Sequence, residues 1–452
     1  MDSFDRLVLG VIAALALAVG LVLALGDHVG VQVVSVTPPA GSAPPVTTPI
    51  SIDFGQPMDT GSVEARLSIS PPLEGETHWA GSKLVFTPDT PLTAGQTYAV
   101  TLEAGVESEN GRRLTESYTW TFEPRPTGFL YLSPADESVR GLWYRPLDGQ
   151  GAREVFAPPG GVLDYAPSPD STQAAVAVFD EATGGVDMWL VDLQEYRPRK
   201  IIDCAPGLCI SPAFSPDGSL IAYECQEPVP TGAPGPGRVW LYNVASGETA
   251  PVFEDNQVLG VAPAWDKDGG ALAFFDAGAQ GIRVVDVGDG SSTLIPSLMG
   301  ETGDFSPDGS QMVYTDIRRV GRQYYTQVWL ADLRGEEGGV SPLFDDPEED
   351  SAPAWASEGN LIAFARRRLD RQGGRGSQLM LVDTATGEVR QITGDVDYNN
   401  TGFTWDVSGQ RILVQRFNIS ADFARAEIWL YDLAAADLSL LVENAVAGRW
   451  LP

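Results

Sequence analysis

The stretch PAFSPDGSLIAY at 212–223 returns in altered form down the last two thirds of the chain, and it restricts the fold more than any other feature. Aligned on the aromatic before the turn, the copies fall at Phe214, Trp265, Phe305, Trp355 and Trp405, with Pro167 in that place in the first copy. The turns read SPDS (168–171), SPDG (215–218), DKDG (266–269), SPDG (306–309), ASEG (356–359) and DVSG (406–409). An apolar strand follows each turn, then a third strand such as VWLYNV (239–244) or IWLYDL (428–433), then a shorter fourth. Four strands in a repeat of this length are the signature of a β-propeller blade, which must stack on its neighbours to bury its faces. Six copies account for residues 163–443. FLYL (129–132) and LWYRPL (142–147) read as second and third strands lacking a first, whereas GRWLP (448–452) reads as a first strand lacking the rest. Joined in space, they complete a further blade. The expectation is an all-β chain with a seven-bladed propeller over 129–452; six blades is the alternative.

The turn residues suit a bend better than they suit chemistry. Proline presets φ for a type I turn, Asp accepts nearby backbone N–H groups, and Gly supplies the positive φ that follows. Asp170, Asp217, Asp268 and Asp308 are therefore expected to be structural, since a catalytic carboxylate would not be spread over equivalent copies. The Asp or Asn ending each third strand (Asp192, Asn243, Asp286, Asp332, Asp383, Asp432) precedes turns such as ASG (245–247) and is read as a cap. Trp189, Trp240, Trp329 and Trp429 are expected to pack between blades.

Histidine narrows the chemistry further, because only His28 and His78 occur. The repeats cannot build a Ser-His-Asp site, a Cys-His site or a His-ligated zinc. A net charge of −32 repels nucleic-acid phosphate and removes nucleic acid as a partner. Function is then expected in loops. Connections from fourth to first strands are acidic, with Asp203, Glu254, Asp255, Glu301, the run DDPEED (Asp345 and Asp346 onward), Asp395 and Asp397. Connections from second to third strands on blades four to six carry Arg318, Arg319 and Arg322, then Arg366, Arg367, Arg368 and Arg371, then Arg416. The two kinds of connection share one face. The reading is a binding face with an acidic centre and a basic outer arc, where Tyr324, Tyr325, Tyr398 and Asn399 add contacts to a protein or glycan ligand. Ordinary solvated loops are the alternative. No spacing specifies a metal site, although Ca²⁺ takes oxygen ligands of this kind. No cofactor is expected, and the chain is read as a binding or scaffolding protein and not an enzyme. The alternative is a carbohydrate-binding or carboxylate-based carbohydrate-active propeller, which for catalysis needs two acids about 5–10 Å apart.

MDSFDRLVLGVIAALALAVGLVLALGDH opens the chain. Its uncharged run Leu7–Leu25 approaches the ~20 apolar residues that cross a bilayer. A single-pass transmembrane helix over 7–26 is expected, with 1–6 cytoplasmic and the bulk of the chain outside the cytoplasm, an orientation with which Arg6 and Asp27 agree. The alternative is a signal peptide cleaved at Ala24-Leu25-Gly26. Three cysteines suit that compartment. Cys204 and Cys209 flank APGL and are the expected disulfide; Cys209 with Cys225, or three free thiols, are the alternatives.

Residues 32–124 show alternation and turn signals in ISIDF (50–54), ARLSISP (65–71), KLVFTP (83–88), TYAVTLEAG (97–105) and YTWTFEP (118–124). About seven short strands there indicate an Ig-like β-sandwich, with 125–128 as a linker. The FGQPMD element, the later L-x-x-G-x-x-Y and the closing TWTF resemble bacterial Ig-like domains of the SbsA type. That resemblance implies a spacer or adhesive module without catalytic residues, and His78 is read as a neutral surface histidine. The repeated P-x-[FW]-S-P-D-G-x-x-[IL]-A-[FY] resembles TolB-like propellers of the WD40-like repeat type. It implies a binding or scaffolding module of the bacterial envelope, or a gating domain on a hydrolase, and no hydrolase domain is expected here.

Overall fold

The structure, a computed structural model, describes residues 30–46, 48–334, 339–357, 359–369, 375–422 and 424–451. The expected anchor Leu7–Leu25, with Arg6, Asp27 and His28, lies outside the described residues, as does Arg371. No helix among the described residues is long and apolar enough to cross a membrane. The chain divides between Pro126 and Thr127 into two units.

The first unit packs two antiparallel sheets. One orders Ser35–Thr37, Ile50–Asp53, Lys83–Pro88 and Gly75–Ala80; the other orders Leu67–Ser70, Tyr98–Leu102 and Tyr118–Phe122. Alternation along the strands buries Ile50, Ile52, Leu84, Val100, Leu102, Trp120 and Phe122 between them. Both sequence elements singled out above have local physical roles. In FGQPMD, Met58 enters the core and Asp59 caps the helix Thr60–Glu64 by accepting Ser62 N–H. In L-x-x-G-x-x-Y, Leu92 and Tyr98 are buried, Gly95 holds φ +74°, and the Tyr98 hydroxyl accepts Thr93 N–H. His78 is exposed on an edge strand.

The second unit is a run of antiparallel four-stranded blades, one for each repeat copy and numbered 1 to 6 in chain order, the first two joined into one eight-stranded sheet by a single parallel pairing of Val186 with Leu208. A seventh four-stranded sheet joins the two ends of the unit: Arg153–Phe156, Gly141–Pro146, Gly128–Ser133 and Val446–Trp450 lie side by side. Its register pairs Trp450 with Phe129 and Arg449 with Leu130. The second strand of this terminal blade begins at Gly128, inside the stretch read as linker. Small and branched residues fill the second strands, as in QAAVAVF (173–179) and LIAYECQ (220–226), so neighbouring sheets can approach closely.

Most first strands carry a bulge, and Ser211, Ala262, Ala352 and Ala447 sit there at φ of 53°, 51°, 49° and 55°. The tryptophan that follows it in three blades donates its indole N–H to the first strand of the preceding blade. Trp265 reaches Ala213 O (3.1 Å), Trp405 reaches Ala354 O (3.0 Å) and Trp450 reaches Thr404 O (2.9 Å). Blade 4 departs from the rule, because its first strand is only Asp304–Phe305.

Candidate interaction face

At one end of each blade lie the short turns between first and second strands. In SPDG (215–218) the chain turns through Gly218 N–H to Ser215 O (2.8 Å), with Gly218 at φ +73°. Asp217 accepts Ser215 Oγ–H (2.6 Å) and Ser219 N–H (3.0 Å), and these donors hold its carboxyl below the usual range. Asp170 and Asp308 repeat the pattern; for Asp308, Ser310 and Ser306 lower the carboxyl in the same way. Asp268 does not take this role. In DKDG the carboxylate that receives the strand N–H is Asp266, from Ala271 (2.9 Å), where Ser215 Oγ receives Leu220 N–H in blade 2. Blade 6 exchanges the partners outright: Asp406 accepts Arg411 N–H, and Ser408 donates to Asp406. The caps hold as read, with Asp192, Asn243, Asp286, Asp332, Asp383 and Asp432 each accepting backbone N–H groups of the following turn.

The opposite end carries the loops expected to hold function. There acids and arginines interleave instead of separating into a centre and an arc. Arg318 donates to Phe344 O (2.7 Å) and pairs with Asp345 (2.9 Å). Arg366 lies over the Phe344 ring and grips two carboxylates, Asp346 (2.9 Å) and Asp350 (2.7 and 2.8 Å). Burial pushes the fully buried Asp350 carboxyl upward against the pull of Arg366. Burial likewise pulls on Arg366, but the bonds from Asp350 and Asp346 leave it raised. Arg367 pairs with Glu349. Arg416 is 3% exposed, stacked 3.7 Å over Tyr398 and 4.9 Å from Trp429, with Asp395 at 3.8 Å. Each arginine thus ties a second-to-third connection to the loop beside it. Asn399 accepts Ser377 N–H, and Asp255 caps its own loop at Gln257 N–H. Glu301, Arg368 and Tyr324 are exposed, and Arg319 Nε donates to Gly321 O (3.1 Å).

Asp203 pairs weakly with Lys200 (3.5 Å), whose closer partner is the buried Asp187 (2.6 Å). The Asp187 bond raises the Lys200 ammonium. Asp187 also accepts Cys204 N–H (2.9 Å) and so fixes the loop closed by the Cys204–Cys209 disulfide, with Cα atoms 6.0 Å apart. Cys225, facing Cys209 in the ladder, is free, and burial pushes its thiol up to about 11.

Sequence reasoning missed a set of buried charges at one height. The residue eight places after the third turn position is charged in four consecutive blades: Asp276 (268 + 8), Asp316 (308 + 8), Arg366 (358 + 8) and Arg416 (408 + 8). Asp276 takes Arg283 through two nitrogens (3.0 and 2.8 Å), and Asp316 accepts Leu298 N–H (3.0 Å). The periodicity was available in the sequence, but its sign changes between blades 4 and 5. One further acid stands apart. Asp304, on the short first strand of blade 4, accepts Trp355 N–H (2.8 Å), and burial pushes its carboxyl up to about 6. Among the described residues no cluster of histidine, cysteine and carboxylate side chains is placed to hold a metal.

Comparison with known proteins bears on both units. Residues 27–123 match the family described as bacterial Ig-like domain. A prolyl endopeptidase structure superposes with a TM-score of 0.51 at 11% identity, covering 78% of this chain and 49% of that one, so this chain spans about half of that enzyme. The β-propeller domain of the Trilobed protease from Pyrococcus furiosus gives 0.48 at 12% identity, covering 77% of this chain and 95% of that one. TolB from Acinetobacter baumannii gives 0.41 at 17% identity, covering 72% and 82%. At these identities the likeness concerns fold alone. The chain therefore carries a bacterial Ig-like domain at residues 27–123, followed by a region that matches the β-propellers of TolB and prolyl-peptidase structures.

Proposed function

We propose that this chain is an extracytoplasmic binding or scaffolding protein, held at the membrane by Leu7–Leu25. A closed seven-bladed propeller presents its loop face to a protein or glycan ligand. The reading rests chiefly on how the acids of that face and its surroundings are used. The carboxyls that burial raises, Glu224, Asp304 and Asp350, are bonded to Gln226, to Trp355 N–H and to Arg366 respectively, which suits architecture better than proton transfer. Ring closure is supported by Tyr165 of blade 1, whose hydroxyl donates to Leu130 O (2.7 Å) and contacts Ala447 O (2.5 Å) in the terminal blade.

The test is crosslinking of the tagged full chain in native membranes, followed by identification of what is recovered. A recurrent partner supports the reading. Recovery of the chain alone, or its release by an alkaline wash that leaves integral proteins behind, overturns binding or anchoring respectively. A carbohydrate-active propeller is the second reading, and only Asp304 favours it, since a carboxyl near 6 lies in the general-acid range. Asp304→Asn with unchanged glycan turnover would remove that support.

A further inference from the structure

Blade 4 differs from the others on the loop face. Its second and third strands, Gln311–Val320 and Gln323–Asp332, are ten residues each, whereas the second strands of the other blades run six to eight. The extra length forms a two-stranded ribbon closed by Gly321 and Arg322. Gly321 holds φ +65°, the first central position of a type II′ turn, which pairs Val320 with Gln323 through ladder bonds. Alternation then turns the N–H and C=O groups of Ile317, Arg319, Tyr324 and Thr326 away from the ladder. Ile317 N–H is taken by Asp316 (2.7 Å). On the other edge, Leu343 donates to Val328 O, and beyond that point Tyr324 and Thr326 have no backbone partner among the described residues.

The side chains of this ribbon are unlike the rest of a chain with net charge −32. Ile317, Val320 and Tyr324 are 37%, 40% and 66% exposed. Arg319, Arg322 and, on neighbouring blade 5, Arg368 are exposed and have no carboxylate partner among the described residues. Apolar side chains, unpaired cations and an open strand edge therefore coincide. A lipid surface would satisfy the first two features, but an open edge is not tolerated in hydrocarbon, and the acidic bulk opposes approach to anionic lipid.

We propose that the open edge at Tyr324–Thr326 receives an extended, acidic peptide segment of another protein by strand addition, with Arg319, Arg322 and Arg368 holding its carboxylates. This deepens the binding reading above and names the partner class for one part of the same face. Main-chain bonds supply affinity without sequence choice, while the arginines select charge and the exposed Tyr324 ring covers alternate side chains.

The test uses the full chain and two fluorescent peptides, one alternating threonine with glutamate and one alternating threonine with lysine. Anisotropy is expected to rise saturably with the glutamate peptide alone and to weaken with salt. Arg319→Ser/Arg322→Ser/Arg368→Ser is expected to weaken binding about tenfold. Thr326→Pro removes the outward N–H without touching a ladder bond and is expected to abolish binding while the far-ultraviolet spectrum stays unchanged. Binding that survives Thr326→Pro, equal binding of the two peptides, or capture by phosphatidylglycerol vesicles in place of peptide overturns the proposal. If membrane crosslinking still recovers a partner with these variants, the edge is refuted and the broader binding reading stands. If no form of the chain recovers one, the broader reading fails.

Discussion

Where blade 6 meets the blade built from both chain ends, the interior of the seam is knitted by neutral hydrogen bonds, and an exposed ion pair, Arg425 with Asp136 (2.8 Å), adds to them. Trp450 Nε1 donates to Thr404 O, Thr404 Oγ1 to Gly448 O (3.0 Å), and Ala447 N to Gln415 Oε1 (2.8 Å). Where blade 4 meets blade 5, the truncated first strand offers no carbonyl to Trp355, whose buried Nε1 has no hydrogen-bond partner among the described residues. Charges stand in instead. Asp304 accepts the Trp355 backbone N–H, and Lys267 of blade 3 reaches past blade 4 to Ala356 O and Ser357 O of blade 5. The interior bonds of the first seam are neutral and do not titrate, whereas those of the second depend on an ionisable acid. A strand returning from the far end of the unit must be held by local bonds, because its loss reopens the whole chain between the two ends.

The severest way to break the comparison is to delete residues 445–452. That removes the strand Val446–Trp450, buried Trp450 and Leu451, and the bonds that Trp450, Gly448 and Ala447 make across the closing seam. A cost of at least ~5 kcal/mol is expected, with a broadened denaturant transition as the propeller loses cooperativity. Thermal and denaturant unfolding measure it. An unchanged midpoint and slope would mean that the terminal blade does not close the ring.

The charged seam predicts the opposite sign. Asp304 rises from the usual carboxylate value to about 6 in the folded chain, so between pH ~4 and ~6 the native state binds more protons than the unfolded one. Stability contributed at this position is therefore highest when the acid is protonated, and it falls as pH rises through that window. Above it the ionised group carries a penalty of up to about 3 kcal/mol. Asp304→Asn keeps an oxygen for Trp355 N–H and removes the charge. The variant is expected to be more stable than the wild type at pH 7 and equal to it near pH 4. A difference that stays flat with pH would show that Asp304 is not the titrating element of this seam.

A subtler probe of closure is Tyr165→Phe. Leu130 O and Ala447 O lose a shared donor buried at the junction of blade 1 with the terminal blade, while the ring packing stays. The expected loss is about 2 kcal/mol by thermal unfolding. The same change at Tyr324 should cost nothing measurable, since that side chain is mostly exposed.

These differences show which parts of the architecture are local and which are not. Repeat copies, the Cys204–Cys209 loop and the blade shared by both ends are legible because turn chemistry and alternation act within a few residues. Reading a turn by position, however, assigns Asp268 the work that Asp266 performs, because a carboxylate and a serine hydroxyl can exchange places in the same bend. The loop face resists reading for another reason. Whether Arg318 is a free cation or the partner of Asp345 depends on how two loops 27 residues apart meet, which no spacing encodes. The change of sign from Asp316 to Arg366 hides a position that burial makes equivalent. The short first strand of blade 4 is invisible as well, since Phe305 aligns with the other aromatics while the residues before it do not extend the ladder.

The finest comparison uses two tryptophans at the same place in neighbouring blades. Trp355 and Trp405 are 5% and 8% exposed, so replacing either by Phe removes similar apolar area and leaves a similar gap. Only Trp405 also loses a hydrogen bond, from Nε1 to Ala354 O. Trp405→Phe should therefore cost about 1 kcal/mol more than Trp355→Phe, the net worth of one buried neutral bond. For Trp355 the change also relieves an unsatisfied donor and recovers part of its packing loss, which widens the gap in the same direction. Denaturant midpoints of the two variants at pH 7 measure the difference. Equal costs would indicate that a solvent molecule already satisfies Trp355 Nε1 and that the two seams are bonded alike; a greater cost for Trp355→Phe would place the stronger seam at blade 4.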